Sequence, residues 1–194
     1  ELVLGTIWRQ ALELAKETKQ LLNQSRRKKA LPVIEQYQWI AATATFANPL
    51  AALDLVLAAA TNAQMLVDLG AIYQQKMSLE QAKTAMATLG KMMVQLGMVE
   101  VTTQALGTIL KGNAITYIAG GTVQGIGAAY LTRLAGLSLV EYFQEQEINE
   151  QLNNDWNWTS LQNKVKQVWE QNQRLAFLQD FVKQTSARWS AFSG

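Results

Sequence analysis

The stretch from Pro49 to Phe143 constrains this chain more than any other part of it. Ala, Leu and Gly dominate it, single charges interrupt it, and it is nearly as apolar as a membrane protein. Its longest uncharged run, Gly112 to Thr132, is 21 residues. A helix of that length could cross a bilayer. Gly120, Gly121, Gly125 and Gly127 lie inside the run, however, and each costs a helix about 1 kcal/mol relative to alanine. Two outcomes stay open: a water-soluble packed bundle, or helices that lie in or on a membrane.

Composition narrows the choice of function more than the choice of solvent. With 194 residues the chain can build one good core. Its 49% hydrophobic content is ordinary for a globular domain, and a mean hydropathy of −0.03 argues against a polytopic membrane protein. Charged residues make up 16%, below the typical ~25%, so Gln and Asn supply much of the polar surface. A net charge of +2 does not imply nucleic acid. Having no Cys, the chain has no disulfide or thiolate chemistry, which fits a reducing compartment. The absence of His removes the commonest general base and metal ligand. A hydrolase or metalloenzyme is therefore a poor reading, and no catalytic, metal or cofactor site is expected. The chain starts at Glu1, inside what already reads as a helix and without a signal-peptide pattern, so it reads as a fragment of a longer protein.

Helical spacing runs through the whole chain, and no segment alternates with period two, so the expected fold is all-α. The expectation is a helical bundle of about six helices with long amphipathic N- and C-terminal helices. Residues 1–29 place Leu4, Ile7, Trp8, Leu12, Leu14, Ala15, Leu21 and Leu22 mostly at helical spacing, and the basic run Arg26, Arg27, Lys28 and Lys29 ends that helix. A second helix follows Pro32, through Tyr37, Trp39, Ile40 and Phe46. Asn48-Pro49 reads as an N-cap and first helical position of a third, running to about Gln75. The sequence Ser78-Leu79-Glu80-Gln81 fits a capping box for a fourth, which runs toward Lys111 with Gly90, Gly97 and Gly107 as weak points. Lys111-Gly112-Asn113 reads as a turn, and a fifth helix covers about Ala114 to Glu147. Asn153-Asn154-Asp155 breaks the pattern, Thr159 to Gln162 fits another capping box, and the last helix carries Leu161, Val165, Val168, Leu175, Leu178, Val182 and Trp189. The segments group as 1–47, 48–147 and 148–194, within one structural domain.

Few residues suggest chemistry, and each has a plain structural reading beside it. Gly121 and Gly125 share a helix face that Ala128 extends, which suits close helix packing in a bundle or in a membrane. As a phosphate loop the glycines fail, because no GxxxxGK[ST] exists in the chain. Asp54, Asp68, Glu100, Arg133 and Glu141 interrupt apolar helices. In water they mark solvated stripes or internal pairs, whereas in lipid they must face the interior and pair. Arg26, Arg27, Lys28 and Lys29 either complement the end of a helix or contact anionic headgroups or a partner. Trp39, Trp156, Trp158, Trp169 and Trp189 read as core or partner-helix contacts, with interfacial anchoring as the alternative.

About half the chain carries a family resemblance. The strings are Asn48-Pro49-Leu50-Ala51-Ala52-Leu53-Asp54, Asn62-Ala63-Gln64-Met65, Val67-Asp68-Leu69-Gly70 and, above all, Leu96 to Gly136. This stretch resembles the YcjF-related domain of unknown function, family 697, that follows a GTP-binding domain in many bacterial and plastid proteins. It is most similar to the cyanobacterial GTPase-linked versions. The resemblance implies a non-enzymatic, membrane-associated C-terminal domain whose first partner is the upstream GTP-binding domain of the same protein. It also implies a cytoplasmic location at a membrane. No Walker lysine loop and no NKxD occur here, so no residue of this chain is assigned to nucleotide chemistry. The expected role is coupling of the G domain to membrane lipid or to a partner helix. The alternative is a soluble helical scaffold or homo-oligomerisation module without lipid contact. Nucleic acid is not an expected partner.

Overall fold

Seven consecutive residues of one helix, 134–140, are all buried, and the rest of the protein is arranged around them. A helix that is apolar on every side belongs inside a bundle. In the computed structural model, which describes residues 2–47, 51–112, 121–148, 156–173 and 178–184, the fold is an all-α bundle with no strand among the described residues. The helices are α1 (Leu2–Ala47), α2 (Ala51–Ile72), α3 (Leu79–Gln95), α4 (Met98–Gly112), α5 (Gly121–Ile148) and α6 (Trp158–Asn172), with a further helical segment over 178–184. The central helix is α5, and α1, α2, α4 and α6 all pack against it. α3 packs against α2 and then turns into α4.

The first difference from the sequence reading is α1. Two helices divided near Pro32 were expected, but one helix of 46 residues runs through it, about 69 Å long. Proline removes one backbone hydrogen bond and crowds the carbonyl four residues earlier. Here that carbonyl belongs to Lys28, and both Lys28 and Pro32 are exposed, so water can take the unpaired group. Directly beside them Ala30 and Ile34 are fully buried, so packing against the bundle holds the helix on both sides of the proline.

Local signals explain the shorter elements. The Ser78 capping box forms as expected: Gln81 N–H donates to Ser78 Oγ at 3.2 Å, and Ser78 N–H donates to Gln81 Oε1 at 2.8 Å. The expected fourth helix is two, α3 and α4, divided at Leu96–Gly97, where Gly97 has φ +71°. Of the three weak points only Gly97 sits where the chain must turn. Residues 111 and 112 are helical, so α4 extends through the expected turn, and Asn113 lies outside the described residues. At the end of α2, Gln74 takes φ +60° and Gln75 N–H closes back on the Gly70 carbonyl at 2.8 Å, a Schellman-type cap.

The capping box placed on Thr159 is corrected. The cap of α6 is Asn157, whose Oδ1 accepts from Ser160 N–H at 3.0 Å, and Thr159 lies in the first turn. Asn157 is also pinned from behind, because its N–H donates to Tyr142 Oη at 2.9 Å. The single long C-terminal helix is likewise corrected: α6 ends at Asn172. Leu161, Val165 and Val168 are its buried stripe, Leu178 and Val182 are buried in the later segment, and Leu175 and Trp189 lie outside the described residues. Asn48-Pro49 and Asn153-Asn154-Asp155 lie outside them too.

Candidate interaction surface

Two stripes run along α1, and they face different ways. In its second half Ala30, Ile34, Tyr37 and Ala41 recur at steps of three and four and are buried against α5 and α2. In its first half Ile7, Trp8, Leu12, Leu14, Leu21 and Leu22 are all exposed, with Trp8 68% and Leu21 66% accessible. At about 100° per residue the second stripe is rotated from the first by roughly a third of a turn. The bare stripe is therefore not a continuation of the core face. Every position from 5 to 18 is exposed, so this half of α1 stands clear of the bundle.

The basic run marks where the bundle begins. It lies in the middle of α1, not at a helix end, and its four cations divide into two pairs. Arg26 is buried, ion-paired to Glu147, and stands 5.9 Å from the centre of the Tyr73 ring. Arg27 bonds Glu141. Between those glutamates Gln144 Nε2 donates to Tyr73 Oη at 3.2 Å and reaches the Asn23 carbonyl at 3.4 Å. One face of α5 thus belts α1 at its midpoint. Lys28 and Lys29 remain exposed beside this belt, at the inner end of the bare half.

A close helix approach lies at Gly136, further along the helix that carries Gly121 and Gly125. A β-carbon on Gly136 would lie 2.8 Å from Ile34 Cγ1, so α5 meets α1 there with no room for any side chain. Gly125 is buried and Ala128 is half-buried, while the surroundings of Gly121 lie outside the described residues. Stepping from Gly125 by four, three and four residues gives Ala129, Thr132 and Gly136, all small, with Ala129 and Thr132 buried. The signal for Gly136 is therefore present in the sequence, about two turns beyond Ala128.

The charges set in apolar helices are mostly used internally. Asp68 accepts from Tyr37 Oη at 2.7 Å and from Gln64 at 3.1 Å, while Glu141 holds Arg27. Glu100 stays at the surface, where Gln104 donates to it at 3.1 Å, and the side chain of Asp54 lies outside the described residues. Burial lowers the pKa of Arg133, which nearby Glu35 opposes. Burial also raises Tyr37, reinforced by its bond to the Asp68 carboxylate. Tyr130, whose hydroxyl donates to the Asn172 carbonyl, is pushed up to about 12 by burial. Trp156 stacks between Tyr142 and Trp158, with ring centres 5.4 Å from each, while Trp39 and Trp169 pack against the core partly buried. Trp189 is outside the described residues.

Chemically, this arrangement can hold helices together and present an apolar face. Among the described residues no group of three acidic, His or Cys side chains could hold a metal ion. Among them, too, no helix is long and apolar enough to cross a membrane. Comparison with curated proteins and with solved structures finds no match. A family model described as "Domain of unknown function (DUF697)" matches residues 9–174, a span covering α2 to α6 and all of α1 except its first two turns. The chain belongs to that family.

Proposed function

We propose that this chain is the non-enzymatic, C-terminal helical domain of a GTP-binding protein, of the YcjF-related and cyanobacterial kind, and couples the G domain to a membrane or a partner. The observation that carries the reading is α1: one unbroken helix, fixed to the bundle along its second half and bare and apolar along its first. A rigid helix shared by two bodies passes a displacement at one end to the other. GTP and GDP forms of the G domain would bias the arrangement by contacting it differently. The bare stripe supplies hydrophobic contact to a partner helix, and Lys28 and Lys29 at its inner end supply charge toward an anionic membrane.

Flotation of the chain with vesicles tests this. Binding to phosphatidylcholine vesicles that is strengthened by phosphatidylglycerol and weakened by salt is the expected result. A chain that stays in the buffer in both cases favours the soluble-scaffold reading.

A further inference from the structure

We infer that the bare half of α1 pairs with the same helix of a second copy, antiparallel, about a two-fold axis between Leu14 and Ala15. The inference rests on the reading of this half-helix as a docking surface, and it names the occupant.

The bare stripe is self-complementary. Its positions are Ile7, Trp8, Ala11, Leu14, Ala15, Thr18, Leu21 and Leu22. They are symmetric about the midpoint between 14 and 15, with successive steps of one, three, three, one, three, three and one. In an antiparallel two-fold pair Ile7 and Trp8 of one copy stand level with Leu22 and Leu21 of the other. Ala11 stands level with Thr18, and Leu14 with Ala15. Small residues near the middle allow the two helices to cross closely, and the large ones at each end fill the space where crossing helices diverge. Such an isologous interface is the commonest way for identical chains to associate.

The size of the face also fits. Ile7, Trp8, Leu14, Leu21 and Leu22 are 41% to 68% exposed. Together they present on the order of 600 Å² of apolar surface per copy, the upper end of what a typical monomer leaves bare in one patch. A pair would bury on the order of 1,000 Å² or more, the scale of a specific interface. Arg9, Glu13, Lys16 and Glu17 lie outside the stripe, so pairing desolvates none of these four charges. Because the bundle of each copy lies roughly a third of a turn away from the stripe, it leaves the second helix room to pass.

The test is the mass of the 194-residue chain by sedimentation and light scattering, with two exposed-face variants. Wild type should show twice 21.5 kDa. Trp8→Glu and Leu21→Lys should each keep the helical spectrum and weaken association by about tenfold or more. Mixing the two variants should restore a dimer, because Glu and Lys then meet at one end while the native pair is kept at the other. A dimer that neither variant weakens, or a mixture that fails to recover, overturns antiparallel pairing. A monomeric wild type overturns self-pairing altogether, and flotation then separates the two readings. If the monomer floats and Trp8→Glu abolishes flotation, the stripe holds lipid and the coupling role stands. If nothing floats, self-pairing and membrane coupling both fall, and the soluble-scaffold reading gains.

Discussion

Ile34 of α1 occupies the space that a β-carbon on Gly136 of α5 would need, with Cγ1 2.8 Å from that point. This contact sets the distance between the two helices that define the bundle. Ile34 is β-branched and fully buried, so it can neither swing away nor give ground at low cost. Gly136→Ala is therefore expected to destabilise by about 1–3 kcal/mol, even though alanine favours helix by about 1 kcal/mol. Ile34→Ala alone leaves a cavity and costs about 2–4 kcal/mol. The two changes together should cost less than their sum, because the alanines share the space. Urea denaturation of the four species measures the coupling, and strict additivity would show that the helices do not touch there.

The divided basic run gives a contrast within four residues. Removing Arg26 leaves Glu147 without its cation in a largely buried setting, so Arg26→Met should cost about 2–3 kcal/mol. Lys28→Gln and Lys29→Gln change exposed side chains and should stay within about 0.5 kcal/mol. Thermal midpoints decide between this and a uniform effect across the run, which a basic patch at an exposed helix end would give.

Two chain reversals predict opposite signs. Gln74 holds φ +60°, a conformation that costs a residue bearing a β-carbon roughly 1 kcal/mol. Gln74→Gly should stabilise by about 0.5 kcal/mol after the entropy it adds to the unfolded chain. Gly97, at φ +71°, has open space around it, so Gly97→Ala is strained only by its backbone and should cost about 1 kcal/mol. Denaturation midpoints of the two variants should move in opposite directions.

Stability should depend on pH mainly at the alkaline end. Burial raises Tyr37, Tyr73, Tyr130 and Tyr142 above the ordinary phenol value of 10.0, with Tyr130 at about 12. A raised folded-state pKa means that the unfolded chain loses its phenolic protons first. The contribution of these groups is complete below pH about 10 and is lost progressively as pH rises above it, through about 12 for Tyr130. The chain has no His to titrate near neutrality, so midpoints should be nearly flat from about pH 6 to 9. Thermal melts followed together with tyrosinate absorbance test this. A loss of stability well below pH 10 would show that other groups control it.

Much of the secondary structure was legible because its signals are local. The Ser78 capping box needs only the residues from Ser78 to Gln81, and it forms as written. The α6 cap was misplaced by two residues, on Thr159, because the choice of Asn157 depends on Tyr142, fifteen residues earlier. Pro32 was read as a boundary because local rules treat proline as a stop. Only the packing of Ala30 and Ile34 on either side lets α1 continue.

By itself the sequence determined that the chain is helical, that its middle is apolar enough to be buried on every side, and that two faces, one of small residues on α5 and one of large residues on α1, were available. Periodicity and capping are properties of neighbouring residues, so they can be read without a fold. Tertiary structure decided which face each helix turns inward. It placed Gly136 against Ile34, drew Arg26 and Arg27 to glutamates more than a hundred residues away, and left Lys28 and Lys29 in solvent. It also left the Trp8 stripe uncovered, because the stripe is rotated away from the core face of the same helix and one helix can press only one side against α5.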